Sequence, residues 1–127
     1  MKHTSIVIVV HGDRILILRR SASDKDSPFV WGFPGGGVDK GESFVEGASR
    51  ELWEETDLFI PPSDLCYIGT WPRKKRTFHV YAGIAPPFHV KLLDGEHDDF
   101  AWIYPSELEE YEHFRKMDDF LETLFTH

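Results

Sequence analysis

The chain has a single cysteine, Cys66, which rules out an internal disulfide and any multi-cysteine metal site. This usage fits a reducing compartment, and Cys66 is expected to be a small core residue in a strand. Long apolar runs are also missing. The run Ile6 to Val10 is shorter than a signal-peptide core and ends in His11, Gly12 and Asp13. A strand and turn are expected there, and no stretch approaches the roughly 20 apolar residues that cross a bilayer. The expectation is a cytoplasmic protein without membrane contact. There is no internal repeat, low-complexity tract or linker. Basic residues are in deficit, 14 Lys and Arg against 22 Asp and Glu, and the formal net charge of −8 repels nucleic acids and anionic membranes. A small anionic substrate is compatible only where cations intervene.

What is present suits one globular domain spanning 1–127. The apolar fraction is 41 % and there are ten Phe and four Trp, enough for a layered core in 127 residues. Residues 4–11 and 14–20 read as strands joined by a tight Gly12-Asp13 turn. Ile15 and Ile17 alternate with Leu16 and Leu18, so both sheet faces should be covered. A polar loop over 21–30 leads to the short extended piece Trp31-Gly32-Phe33-Pro34 and a glycine loop. Ser43 and Glu46 form a capping-box pattern, which places a helix start near Ser43, and Pro61-Pro62 closes that region. Further strands are expected over 65–71, 76–85 and 98–104. From about 110 to 125, Tyr111, Phe114, Met117, Phe120, Leu121, Leu124 and Phe125 recur at helical spacing as a core-packing stripe. The implied class is α/β or α+β, a mixed sheet sandwiched between helices.

The middle helix raises the chemical question. At roughly 100° per residue Phe44, Val45, Ala48 and Leu52 make its core-facing stripe; Glu55 falls inside that arc, Glu51 just outside it and Glu54 on the adjoining flank. A solvated charge run would lie opposite, where Glu46 and Arg50 sit. Clustered, partly buried carboxylates are costly without a cation. Arg50 precedes Glu54 by four residues, but one guanidinium is not expected to neutralise three such acids plus Glu42. Mg²⁺ or Mn²⁺, which favour carboxylate oxygen and retain waters for substrate phosphates, suit the remainder. Gly35, Gly36 and Gly37 let the backbone approach a ligand closely.

Gly36, Glu42, Arg50, Glu51, Leu52, Glu54, Glu55 and Leu58 resemble the Nudix hydrolase signature, G-x5-E-x7-R-E-U-x-E-E-x-G-U, in which U is bulky and aliphatic. Asp57 stands where that pattern has glycine; the position often needs φ > 0, which Asp tolerates better than most residues, so a locally altered turn without loss of the chemistry is expected. The resemblance implies a Nudix-type α/β/α sandwich that uses water and Mg²⁺ or Mn²⁺ to cleave a diphosphate linkage in a nucleoside diphosphate derivative. It further implies that Glu51, Glu54 and Glu55 hold metal or orient water, that the Gly35 carbonyl is a further ligand, and that Arg50 holds the glutamates. Glu42 would pair with Arg50 or reach metal through water. Glu96, in DGEHDDFAW, resembles the loop glutamate that some members use as ligand or base, and His97 is the rival base.

For substrate contacts, Arg20 ends the second strand and is similar to a phosphate-meeting position of that family, while Trp31, Phe33 and Phe78 are candidates to stack on a base. RKKR, residues 73–76, is expected at a hairpin tip as protective charge. The expected partner is a small nucleotide, with the protein a monomer or homodimer. A nucleoside triphosphate is the first substrate choice. ADP-ribose, towards which Pro72 points weakly, a dinucleoside polyphosphate or a nucleotide sugar are alternatives, and a non-catalytic nucleotide-sensing module is the alternative of another class.

Overall fold

The computed structural model describes residues 2–85 and 90–126. Its elements are β1 (Lys2–His11), β2 (Arg14–Arg20), β3 (Trp31–Gly32), β4 (Gly35–Gly37), α1 (Phe44–Thr56), β5 (Cys66–Pro72), β6 (Arg76–Ile84), β7 (His97–Ile103) and α2 (Lys116–Thr126), with 3₁₀ turns at Pro62–Asp64 and Pro105–Glu110. The sheet runs β3-β2-β1-β6-β5, with β7 on β2 and β4 on β1. It is mixed, because β1 and β6 pair in parallel from Lys2↔Arg76 to Val10↔Ile84 while the other ladders are antiparallel.

The N-terminal hairpin explains how the glycines reach the helix. Strands β1 and β2 pair only at Val10↔Ile15 and His11↔Arg14, then part. Residues 31–37 fill the fork: β3 takes the free edge of β2 at Leu18 and Arg19, and β4 takes that of β1 at Thr4, Ser5 and Ile6. The backbone groups left open by the separation are thereby paired, as buried backbone requires.

Alternation along β1 and β2 feeds two cores, as both-face coverage demands. Ile6, Ile8, Ile15 and Ile17 meet Met117, Phe120 and Leu121 of α2. Val7, Val9, Leu16 and Leu18 meet Ala48 and Leu52 of α1. None of the described helices is long and apolar enough to cross a membrane.

Helix α1 begins as its capping box predicts: Ser43 Oγ accepts from Glu46 N at 3.1 Å and Glu46 Oε1 accepts from Ser43 N at 2.8 Å. At its end Asp57 is left-handed, φ 65° and ψ 8°, so the missing glycine is replaced by a residue that tolerates this region. Ser5 Oγ donates to the Phe44 carbonyl at 2.6 Å and Ser49 Oγ to the Ile60 carbonyl at 2.6 Å, tying the helix to its surroundings.

Several expectations shift. The strands expected at 65–71 and 98–104 are each one residue out, and β6 stops at Ile84, one short of the expected end. The final helix starts at Lys116, not near 110, because the chain before it is recruited as an extended partner: Trp31 N donates to the Glu112 carbonyl at 2.8 Å and Phe114 N to the Trp31 carbonyl at 3.2 Å. Cys66 is exposed on β5 instead of buried. Phe44, assigned to the core stripe, is 38 % exposed and stacks on the His79 ring at 3.6 Å.

Candidate active site

One guanidinium organises most of the acids. Arg50 Nε and Nη2 donate to Glu42 at 2.8 and 3.0 Å; Nη1 donates to Glu54 Oε1 at 2.6 Å and to Glu51 Oε1 at 3.1 Å; Nη2 also reaches the Gly37 carbonyl at 2.9 Å. Asp39 adds an ion pair at 3.3 Å. The planar fork with its five donors makes this span possible. Arg50 therefore serves Glu42, Glu51 and Glu54 but not Glu55, in keeping with the expectation that one guanidinium does not neutralise all four acids. Arg50's hydrogen bonds hold the Glu42 carboxyl below its ordinary range. Glu51 is pushed the other way, chiefly by burial, although Arg50 opposes the shift.

Glu55 is the acid left over. It is 3 % exposed, and its one close partner among the described residues is the backbone N–H of Gly35, donating to Oε1 at 2.8 Å. Burial, reinforced by Glu51, Asp94 and Glu96, pushes its carboxyl up to about 9. A carboxylate so placed must stay protonated or receive a cation.

The glycines are needed for close approach. A Cβ on Gly36 would stand 2.6 Å from the Glu51 carboxylate, and one on Gly35 would collide with the Ser5 carbonyl. The three-glycine strand is the wall against which the acidic face of α1 lies.

Across from Glu55 stands the loop entering β7. Asp94 Oδ1 accepts from Glu96 N at 3.0 Å, and the Glu96 carbonyl accepts from Ser21 N at 2.9 Å, so the loop is pinned to the end of β2. Oδ2 of Asp94 and Nδ1 of His97 are buried without a hydrogen-bond partner. His97 Nδ1 lies 3.9 Å from Glu55 Oε2 and 3.7 Å from Asp94 Oδ2. Burial lowers the His97 pKa, with Asp94 pulling in the opposite sense. The Glu96 carboxyl lines a cavity of about 240 Å³ with Arg20, Ser23 and Asp24, and its pKa is raised by burial and by Asp94. Arg20 is paired with Asp24 at 2.8 Å and lies over the Phe114 ring.

The structure thus brings Arg50, Glu42, Glu51 and Glu54 into one cluster, sets Glu55 against Gly35, and places Glu96 beside Arg20. Two expected contacts fail. Phe33 and Phe78 are 8 % and 5 % exposed in the core on the α2 side, where neither presents a free face to a base. Trp31 is half-buried and packs edge-on against Tyr111 at 5.1 Å. Residues 73–75 link β5 to β6 as expected, with Arg73 near Asp119. Asp94 was missed. In the sequence it is a polar turn residue before Gly95, with nothing to tie it to a helix 39 positions earlier.

This donor set, buried carboxylate oxygens beside a glycine-rich backbone, suits a hard divalent cation. A NUDIX domain profile matches residues 1–124. The chain belongs to the NUDIX domain family. This Nudix hydrolase, a class acting on pyrophosphate bonds, is 28 % identical over 108 residues to CTP pyrophosphohydrolase of Escherichia coli (strain K12), covering 84 % of this chain and 78 % of that one. It is 30 % identical over 76 residues to Phosphatase NudJ from Escherichia coli O1:K1 / APEC, covering 59 % of this chain and 48 % of the relative, so the match spans about half of NudJ. The crystal structure of MutT protein from Methanosarcina mazei Go1 superposes with a TM-score of 0.80 at 28 % identity, covering 95 % of this chain and 90 % of that one. The mixed sheet with flanking helices is the fold expected from the sequence.

Proposed function

We propose that residues 1–127 act as one Nudix unit that hydrolyses a diphosphate linkage of a nucleoside triphosphate with Mg²⁺ or Mn²⁺ bound at the acidic face of α1. The carrying observation is Glu55, a carboxyl 3 % exposed that faces no cationic side chain within hydrogen-bonding range among the described residues. Glu51, Glu54, Glu55 and Glu96, with the Gly35 carbonyl, would hold the ion. When bound, it neutralises phosphate charge and makes water a better nucleophile.

The remaining work falls to the chain. Arg50 fixes Glu51 and Glu54 against the glycine strand, which keeps them convergent in place of splaying towards solvent. Glu54 is the most exposed of the cluster, 46 % by side chain, and is the group best placed to accept a proton from water. Water oxygen bonds to one phosphorus, the bridging P–O bond breaks with its electron pair on the leaving phosphate, and the water proton passes to the carboxylate. Arg20, at the cavity beside Glu96, would meet phosphate, and half-buried Trp31 would offer a ring edge to the base. The relative named for CTP supports a nucleoside triphosphate over the alternatives.

The test is product mass and phosphate release across nucleoside triphosphates, ADP-ribose, dinucleoside polyphosphates and nucleotide sugars with each ion. Glu54→Gln should keep the thermal transition yet lose about 10²-fold or more in turnover. Wild-type rates in that variant would remove Glu54 from the reaction.

A further inference from the structure

We infer that Asp94 and His97 join Glu55 in a cation position of their own, in which an imidazole nitrogen is a direct ligand and manganese-like ions are preferred to magnesium. The inference rests on the hydrolase reading above only for its use in turnover; the position itself is argued from geometry.

Each of the three side chains turns one polar atom towards the others. Glu55 gives Oε1 to Gly35 N and turns Oε2 towards the His97 ring. Asp94 gives Oδ1 to Glu96 N and keeps Oδ2 buried without a partner. The His97 side chain is 8 % exposed, with Nδ1 likewise unpartnered. The three potential ligand atoms lie within 4.8 Å of one another.

These groups do not satisfy each other. At 3.7 and 3.9 Å from the two carboxylates, His97 Nδ1 is beyond hydrogen-bond range. A single ion bonded at about 2.1 Å to each of two ligands separates them by roughly this much. The nearby guanidinium groups are otherwise engaged, Arg50 with Glu42, Glu51, Glu54 and the Gly37 carbonyl, and Arg20 with Asp24. Burying a polar atom without a partner is costly, and a divalent ion would give Asp94 Oδ2 and His97 Nδ1 a partner while meeting the charge of Glu55.

The donor set also decides the ion. Magnesium keeps to oxygen and demands regular octahedral geometry, whereas manganese and the later divalent metals accept imidazole. His97 is thereby a ligand and not the general base: a ring 8 % exposed with its nitrogen turned inwards has little access to a water on the substrate.

Chelator-stripped protein would be titrated with Mn²⁺ and with Mg²⁺ by calorimetry, and the Mn²⁺ complex examined by pulsed electron paramagnetic resonance for nitrogen coupling. Wild type should show imidazole nitrogen coupling and bind Mn²⁺ more tightly than Mg²⁺. His97→Gln should lose that coupling and weaken Mn²⁺ by about tenfold or more while changing Mg²⁺ much less, and Asp94→Asn should weaken Mn²⁺ too. Absence of nitrogen coupling in the wild type overturns the inference without relying on any variant folding. So does Mn²⁺ affinity in folded His97→Gln equal to wild type. Turnover without nitrogen coupling would sink this site and leave the hydrolase reading standing; coupling without turnover on any nucleotide would do the reverse.

Discussion

The two ends of the acidic face of α1 solve the same problem in opposite ways. Near its middle, Glu51 and Glu54 gather with Glu42 around Arg50, with only Glu54 about half exposed, and their charges are met by protein. One turn further, Glu55 is buried against backbone and meets no cationic side chain at close range among the described residues. Both sets of acids belong to one short motif, yet only one is finished by the chain itself. The arginine cluster is neutralised within the chain, whereas the buried acid is met by a backbone N–H alone at close range among the described residues.

That contrast can be broken most forcefully at its closed end. Arg50→Met should cost about 2 kcal/mol in urea unfolding, because three carboxylates and the Gly37 carbonyl lose their donor together. A loss below about 0.5 kcal/mol would mean that water serves those acids equally well. At the open end the sign reverses. With the Glu55 carboxyl at about 9 in the folded protein and near 4.5 when unfolded, the folded state holds the extra proton between those values, so stability falls as pH rises across that window. Glu55→Gln in chelator at pH 8 should therefore raise Tm, by roughly 4 °C for each 1 kcal/mol gained, and flatten the pH dependence. An unchanged or lowered Tm would show that Glu55 is already satisfied.

The smallest effect lies beyond the sheet. Lys116, at the start of α2, sits over the Phe78 and Phe114 rings at 4.1 and 4.9 Å and has no ion pair among the described residues. Burial, aided by Arg20, Arg76 and Arg73, lowers its pKa to about 8. Its folded value lies below the unfolded one, so stability rises as pH climbs from about 8 to 10.5. Lys116→Met should gain ~0.5 kcal/mol at pH 7, modest because solvent screens the site, and that gain should fade by pH 10 in thermal melts.

What could be read in advance follows the physics of each signal. Angular position on a helix is fixed by residue spacing, so Glu55 inside the apolar arc was recoverable and is buried. The capping box is local and was equally readable; at Asp57 an altered turn was expected, and the residue instead takes up the left-handed conformation itself. The pairing of Arg50 with Glu42 came from the family resemblance and its nearness to Glu54 from helical spacing, whereas the helix wheel alone, which sets Arg50 opposite the core stripe, did not show one guanidinium meeting Glu42, Glu51 and Glu54 at once. Tyr111 and Phe114 pack on the core whether their backbone is helical or extended, so periodicity could not reveal that Trp31 claims that backbone. Phe33 and Phe78 are aromatic residues in or beside strands, a pattern shared by core and ligand platforms, and the core won. Asp94 had no signal, since its relation to Glu55 exists only once the strands are assembled.

The parallel ladder between β1 and β6 carries a consequence for biosynthesis. Its rungs join residues 74 positions apart, from Lys2↔Arg76 to Val10↔Ile84. A chain leaving the ribosome must hold the aliphatic stretch Ile6 to Val10 unpaired along that edge until its mate has emerged. At about 5–20 residues per second this interval lasts several seconds, during which the nascent strand is open to chaperones or to a neighbouring copy.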